Sequence, residues 1–195
     1  MGTRPRLMEH EKALTPQEKE VLVTYLSTPD LEWTRPAAII KLVLKTGLRA
    51  SEVAHLKVGH CILEGDRPMI CVWGGKKRTQ EQMDPVKINK EFAEYLKGYL
   101  MRHMPKEYVF ESDGHGLTRN TIWSDCKKVF KRLGFSIKYG VHALRHRFVT
   151  DTYKAFRDPM ITMNQARHKN LGMTTRYIHL ATEESEEFRE KLNLV

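Results

Sequence analysis

Apolar residues recur at helical spacing along most of this chain and change to short runs in a single region. Thr15-Pro16-Gln17-Glu18 reads as a helix start, with a threonine cap, proline at the first helical position and glutamate three residues after the cap. Val21, Leu22, Tyr25 and Leu26 then supply an apolar stripe. After a break at 27–30, Arg35 to Thr46 carries Ile39, Ile40, Leu42, Val43 and Leu44, which predicts a buried helix ended by Gly47. Ala50 to Val58 predicts a further short helix. Between 61 and 87 the period shortens: Ile62-Leu63, Met69 to Trp73 and Gln82 to Ile88 read as strands, separated by Glu64–Pro68 and by Gly74-Gly75-Lys76-Lys77-Arg78. Helices resume at Lys90–His103, at Thr118–Leu133 (closed by Gly134) and at His142–Phe156, the last stopped near Pro159. Shorter segments lead on to Tyr177. The expected fold is mainly α with a small three-stranded antiparallel β-sheet. Residues 1–13 are expected to form a flexible basic arm and 14–180 the folded unit. Residues 181–195 read as an acidic tail with Phe188, Leu192 and Val195 at helical spacing.

Composition narrows the class. A chain of 195 residues makes one substantial domain, and 41% hydrophobic residues with no apolar run of spanning length predict a soluble globule with no membrane role. The formal charge of +9 suits a polyanion, nucleic acid first and an anionic membrane second. Cys61, Cys71 and Cys126 are odd in number and lack C-x-x-C spacing, which predicts thiols in a reducing cytosol. Neither an internal repeat nor a hydrophobic signal core is visible.

The residues that carry chemistry lie in three places. His142 and Arg145, three apart on a helix, share a face; His168 and Tyr177 are nine apart across an expected helix break at 170–172; Arg49 follows Gly47. Attack on a phosphodiester spreads negative charge over the equatorial oxygens, so catalysis is mostly positioning and charge stabilisation. Arg49 and Arg145 can clamp that charge, since each guanidinium offers a planar fork and stays ionised. His142 and His168 can donate hydrogen bonds or move protons near neutrality. Tyr177 can attack the phosphorus, and a lysine of the Gly-Gly-Lys-Lys-Arg hairpin can protonate the departing 5′ oxygen. Plainer readings exist for each residue alone. Tyr177 can be a packing side chain, Arg49 a helix C-terminal partner, and Lys76–Arg78 a solvated turn. His142 with His146 would be a metal pair lacking a third ligand, and His55, His60 and Cys61 only a loose group. Order and spacing together are far more specific than any single residue.

These boxes resemble the catalytic domain of the tyrosine recombinases, the phage-integrase and Xer-type family. Thr46-Gly47-Leu48-Arg49-Ala50-Ser51-Glu52 followed by Leu56 is similar to the family's first box, and His142 to His146 to its H-x-x-R-H box. His168, Thr174, Tyr177 and His179 match its last box, and the likeness covers about residues 14–180. The resemblance implies that Arg49, His142, Arg145 and His168 surround the scissile phosphate while Tyr177 attacks it. The expected product is a 3′-phosphotyrosine and a 5′-hydroxyl, and reversal by another strand's 5′-hydroxyl exchanges strands without cofactor, ATP or metal. Glu52 would support the pocket, with His146 and His179 also supporting. A hairpin lysine would be the general acid: counting back from Pro85 favours Lys77, whereas its place directly after the first strand's glycines favours Lys76. Arg78 is expected on DNA.

Departures from the family pattern also carry expectations. The last-box histidine usually follows leucine-glycine; here it follows Ala166-Arg167, and Arg167 is expected to alter the turn or to contact DNA. The chain begins almost at the catalytic region, so the family's N-terminal clamp domain is expected to be missing, with the chain either the C-terminal part of a longer protein or a short form. Weak, strongly salt-dependent binding to double-stranded DNA follows. Residues 181–195 resemble a segment that docks on a neighbouring protomer, with packing in cis as the alternative. Recombination implies a homotetramer on two duplexes, and a monomer is the free-state alternative; the expected location is cytoplasmic and nucleoid-associated. Two other functions compete: a type IB topoisomerase that rejoins the same strand, and a non-catalytic DNA-binding regulator on this scaffold.

Overall fold

A computed structural model describes residues 13–73, 83–175, 177–178 and 181–182. Its helices are α1 (Pro16–Tyr25), α2 (Arg35–Thr46), α3 (Ala50–Ala54), α4 (Lys90–His103), α5 (Arg119–Arg132), α6 (Val141–Phe156) and α7 (Pro159–Ala166). A three-stranded antiparallel sheet in the order β1-β2-β3 is made by Cys61–Ile62, Met69–Trp73 and Met83–Lys87, and a second small pair by β4 (Glu111–Ser112) and β5 (His115–Gly116). The mainly helical class with one small three-stranded sheet is thus the class that the pattern predicts. Among the described residues, no helix is long and apolar enough to cross a membrane.

Local chemistry explains most boundaries. The Thr15 hydroxyl accepts from the Glu18 amide at 3.1 Å while the Glu18 carboxylate accepts from the Thr15 amide at 2.8 Å, a reciprocal capping box that fixes the start of α1. Helix α2 is apolar nearly all round, and Ile39, Ile40, Leu42 and Val43 are fully buried, so it runs through the core against α5 and α6. It ends at Gly47, which takes φ +63°. Here glycine is required twice over. The left-handed conformation disfavours any other residue, and a Cβ would collide with the Phe148 ring of α6. That close approach seats the end of α2 against the helix that carries His142 and Arg145.

Two segments differ from the pattern. The helix expected over 50–58 stops at Ala54, because the chain beyond it pairs sideways: the Val109 amide donates to Leu56 O at 2.9 Å and the Val58 amide to Glu107 O at 2.9 Å. Tertiary pairing there overrides local helix preference. The sequence pattern gives no sign of the β4–β5 hairpin, since two-residue polar strands have no apolar alternation. Its turn is Asp113-Gly114 with φ +55° and +77°, the left-handed pair that a tight hairpin needs. The first sheet strand lies one residue earlier than the Ile62-Leu63 pattern suggests.

Candidate active site

The ends of two helices supply the floor of the site. An α-helix leaves its last carbonyls without intrahelical partners, and the dipole makes that end attractive to cations. At the end of α2 the Thr46 and Gly47 carbonyls, and at the end of α7 the Ala166 and Arg167 carbonyls, all receive guanidinium donors. Arg145 Nη1 donates to Gly47 O and its Nη2 to Ala166 O at 2.5 Å, so this buried arginine bridges the two helix ends. Arg49 Nη2 donates to Arg167 O at 3.2 Å, and Arg167 Nη1 reaches Thr46 O at 3.4 Å.

One carboxylate organises these cations. Glu52 Oε1 accepts from Arg49 Nη1 at 2.7 Å; its Oε2 accepts from the Arg49 amide at 2.7 Å and from Arg167 Nη2 at 2.9 Å. Arg49 opens α3, three residues before Glu52, so the pair is built into one helical turn. Arg49 does meet a helix C-terminus, but that of α7 through Arg167 O and not that of α2, and its shorter bond is to Glu52. Burial raises the Glu52 pKa, but the charge of Arg167 and the hydrogen bonds and charge of Arg49 outweigh it, and the carboxyl lies below its ordinary value. Three guanidiniums against one carboxylate leave a net charge of +2, a good setting for a phosphodiester.

Two imidazoles and a phenol complete the cluster. His168 Nδ1 lies 2.9 Å from the Thr174 hydroxyl, and both residues are buried. If the threonine donates, the ring carries its proton on Nε2, the nitrogen left for a phosphate oxygen. Burial, then the charges of Arg145, Arg49, His146 and Arg167, lower the His168 pKa to about 4. His142, exposed on the first turn of α6, is also lowered by partial burial and by Arg145 and Arg49; with the residue at the rim, the two charges are the firmer cause. Arg145 is pulled to about 10 by burial and then by its two fellow arginines, which still leaves it charged near neutrality. Tyr177 is 8% exposed, beside Val149 and Ala166. Its ring stacks on His168 at 5.7 Å and tilts against His146 at 5.1 Å.

Arg49, Glu52, Arg145, His168, His146 and Tyr177 are therefore neighbours, although the sequence spreads them over almost 130 positions, and His142 lies on the helix that carries Arg145. Arg167 joins them in an unexpected way. Its guanidinium is directed inward at Glu52 and Thr46 O, with its side chain 10% exposed, and its backbone closes α7 in the left-handed region, at a position where the sequence points to an altered turn or a contact with DNA. Thr174, quoted only as part of a motif, is the partner of His168. Lys76, Lys77, Arg78 and His179 lie outside the described residues, as do the basic arm up to residue 12 and the tail from 183. The looser candidates stay apart: His55 contacts Ser51 O at 2.7 Å, and His60 packs on the edge of Trp73. Among the described residues, no three His, Cys, Asp or Glu side chains gather as a metal cage.

A fold of this kind, carrying this cluster, matches the phage integrase family over residues 12–184, and the chain belongs to that family. Tyrosine recombinase XerD of Lacticaseibacillus casei is 28% identical over 188 residues, which cover 92% of this chain and 62% of that protein. Tyrosine recombinase XerD of Shewanella oneidensis is 28% identical over 192 residues, covering 96% and 63%. The crystal structure of XerA recombinase superposes with a TM-score of 0.77 at 25% identity, covering 97% of this chain and 66% of that one. The chain thus has the tyrosine-recombinase catalytic fold, and it spans about three-fifths of the length of the curated relatives it matches.

Proposed function

We propose that this chain cuts and rejoins double-stranded DNA in site-specific recombination, through a 3′-phosphotyrosine on Tyr177. The observation that carries this reading is the convergence of Arg49, Arg145 and His168 beside the Tyr177 ring. Tyr177 Oη attacks the scissile phosphorus as its phenolic proton passes to a histidine of the site, His142 or His168, the P–O5′ bond breaks, and the 5′ oxygen takes up a proton from a hairpin lysine, Lys76 or Lys77. Arg49 and Arg145 balance the charge of the pentacoordinate state, and His142 and His168 donate to or relay protons at its oxygens. His146 and His179 support the tyrosine side of the pocket, and Arg78 meets the DNA backbone. The phosphodiester energy stays in the covalent link, so a 5′-hydroxyl from a second strand reverses the step without ATP or metal. Residues 14–180 form the catalytic unit in this reading, four protomers act on two duplexes, and the work takes place on cellular DNA in the cytoplasm.

The test begins with a pool of genomic duplexes carrying single nicks, incubated with protein in EDTA. Covalently trapped fragments are recovered and sequenced, and two copies of the enriched sequence are placed on one supercoiled plasmid. The proposal expects a shared sequence and exchange between the two copies. Relaxed circles without exchange would instead mean same-strand rejoining. DNA binding with no trapped fragment would mean a regulator.

A further inference from the structure

We propose that Arg167 is a positioning residue for strand cleavage: it holds Glu52, and Glu52 together with the Arg167 carbonyl fixes the Arg49 fork on the scissile phosphate. The inference rests on the strand-transfer reading above and deepens it at one residue.

Three observations carry it. Arg167 occupies the left-handed region at φ +52° as it closes α7, where its amide donates to Asn164 O at 3.0 Å and the His168 amide to Met163 O at 3.0 Å. Met104 and Arg157 close their helices in the same left-handed region with exposed side chains, whereas the Arg167 side chain is only 10% exposed. Second, that side chain is turned into the protein and ends on the same Glu52 oxygen that accepts the Arg49 amide. Third, both terminal nitrogens of Arg49 are engaged, one by the carboxylate that Arg167 holds and the other by the backbone carbonyl of residue 167. Nη1 is held by Glu52 and Nη2 by the Arg167 carbonyl. Each of those nitrogens keeps one further N–H, and Nε keeps its own, which leaves a defined edge for a phosphate.

The charge balance gives the arrangement a purpose. Glu52 paired with Arg49 alone would be a neutral couple with little net field for an anion. Shared between two guanidiniums, the carboxylate orients Arg49 without cancelling it, and the trio keeps a charge of +1. A residue that touched DNA directly would do neither. Arg167 therefore acts through Glu52 and Arg49.

The experiment measures single-turnover formation of the covalent adduct on a nicked duplex at saturating protein, together with DNA affinity over a salt series. The forms compared are wild type, Arg167→Gly, Arg167→Lys, Glu52→Gln and the double variant Arg167→Gly/Glu52→Gln. Arg167→Gly removes the guanidinium while suiting the positive φ, which offsets only part of the lost ion pair with Glu52, so every form is assayed well below its own melting temperature. The expected result is a fall of about 10–100-fold in the saturated rate, with the salt slope of binding unchanged. Arg167→Lys should recover part of that rate, and Arg167→Gly should cost little more once Glu52 is already Gln. A saturated rate within about twofold of wild type would overturn the proposal, as would an equal loss in the Glu52→Gln background. A salt slope reduced by about 0.9 with the saturated rate intact would overturn it too, and would make Arg167 a phosphate contact. No adduct with any form, wild type included, would overturn the strand-transfer reading and this inference with it; a wild-type adduct with indifferent Arg167 variants would overturn the inference alone.

Discussion

The depressed pKa of His168 makes a quantitative claim about stability. In the unfolded chain this imidazole titrates at 6.5; in the folded chain burial and the surrounding positive charges hold it at about 4. Between those values the unfolded chain binds more protons than the folded one, so stability rises with pH across that window. The contribution is fully present above 6.5 and is lost as pH falls towards 4. At about 1.4 kcal/mol per pH unit, the gap corresponds to about 3 kcal/mol. Urea denaturation of wild type and His168→Asn from pH 7.5 to pH 4 isolates it. The asparagine amide retains a partner for Thr174, while His142 and the carboxylates titrate equally in both forms. Wild type should lose about 3 kcal/mol relative to the variant, nearly all of it below pH 6.5. Curves that stay parallel within about 0.5 kcal/mol would mean that burial and the arginine cluster do not hold His168 neutral.

Two further perturbations probe the floor of the site. Gly47→Ala should destabilise by about 2–5 kcal/mol, combining a left-handed residue with overpacking against Phe148, and adduct formation should fall with it; a melting curve within about 1 kcal/mol of wild type would contradict the close approach. Glu52→Gln should cost about 2–3 kcal/mol, at the low side for a buried pair because the Arg49 side chain is 30% exposed. That corresponds to a drop in Tm of about 4–12 °C for a chain of this size. Since the Glu52 pKa is depressed, its contribution is present above the ordinary carboxylate range and vanishes as pH falls through the folded value, so the two melting curves should converge in acid.

Much of this was readable from the residues because the signals were local. The Thr15 cap, the apolar face of α2 and the glycine that ends it are encoded within a few neighbours of where they act. The Lys90–His103 helix matches its apolar period to the residue. The candidate residues were legible as a set because their order and spacing are distinctive. What escaped depends on contacts between distant segments. Val58 leaves its helix for Glu107, 49 positions away. Arg167 and Glu52 are 115 apart, and a basic residue next to His168 gives no sign of whether it turns inward or outward. The carbonyls of Gly47 and Ala166 are invisible in any sequence, yet they hold Arg145.

Covalent capture by Tyr177 tests the account most directly. A duplex nicked just downstream of a trapped cleavage position is incubated in EDTA with wild type and with Tyr177→Phe, then run on a denaturing gel. The phenylalanine keeps the ring between His146 and His168, so the fold should be retained. Wild type should give an SDS-stable protein–DNA adduct and a 5′-hydroxyl end, and Tyr177→Phe neither. An adduct of equal yield with Tyr177→Phe would put the nucleophile elsewhere and contradict the account.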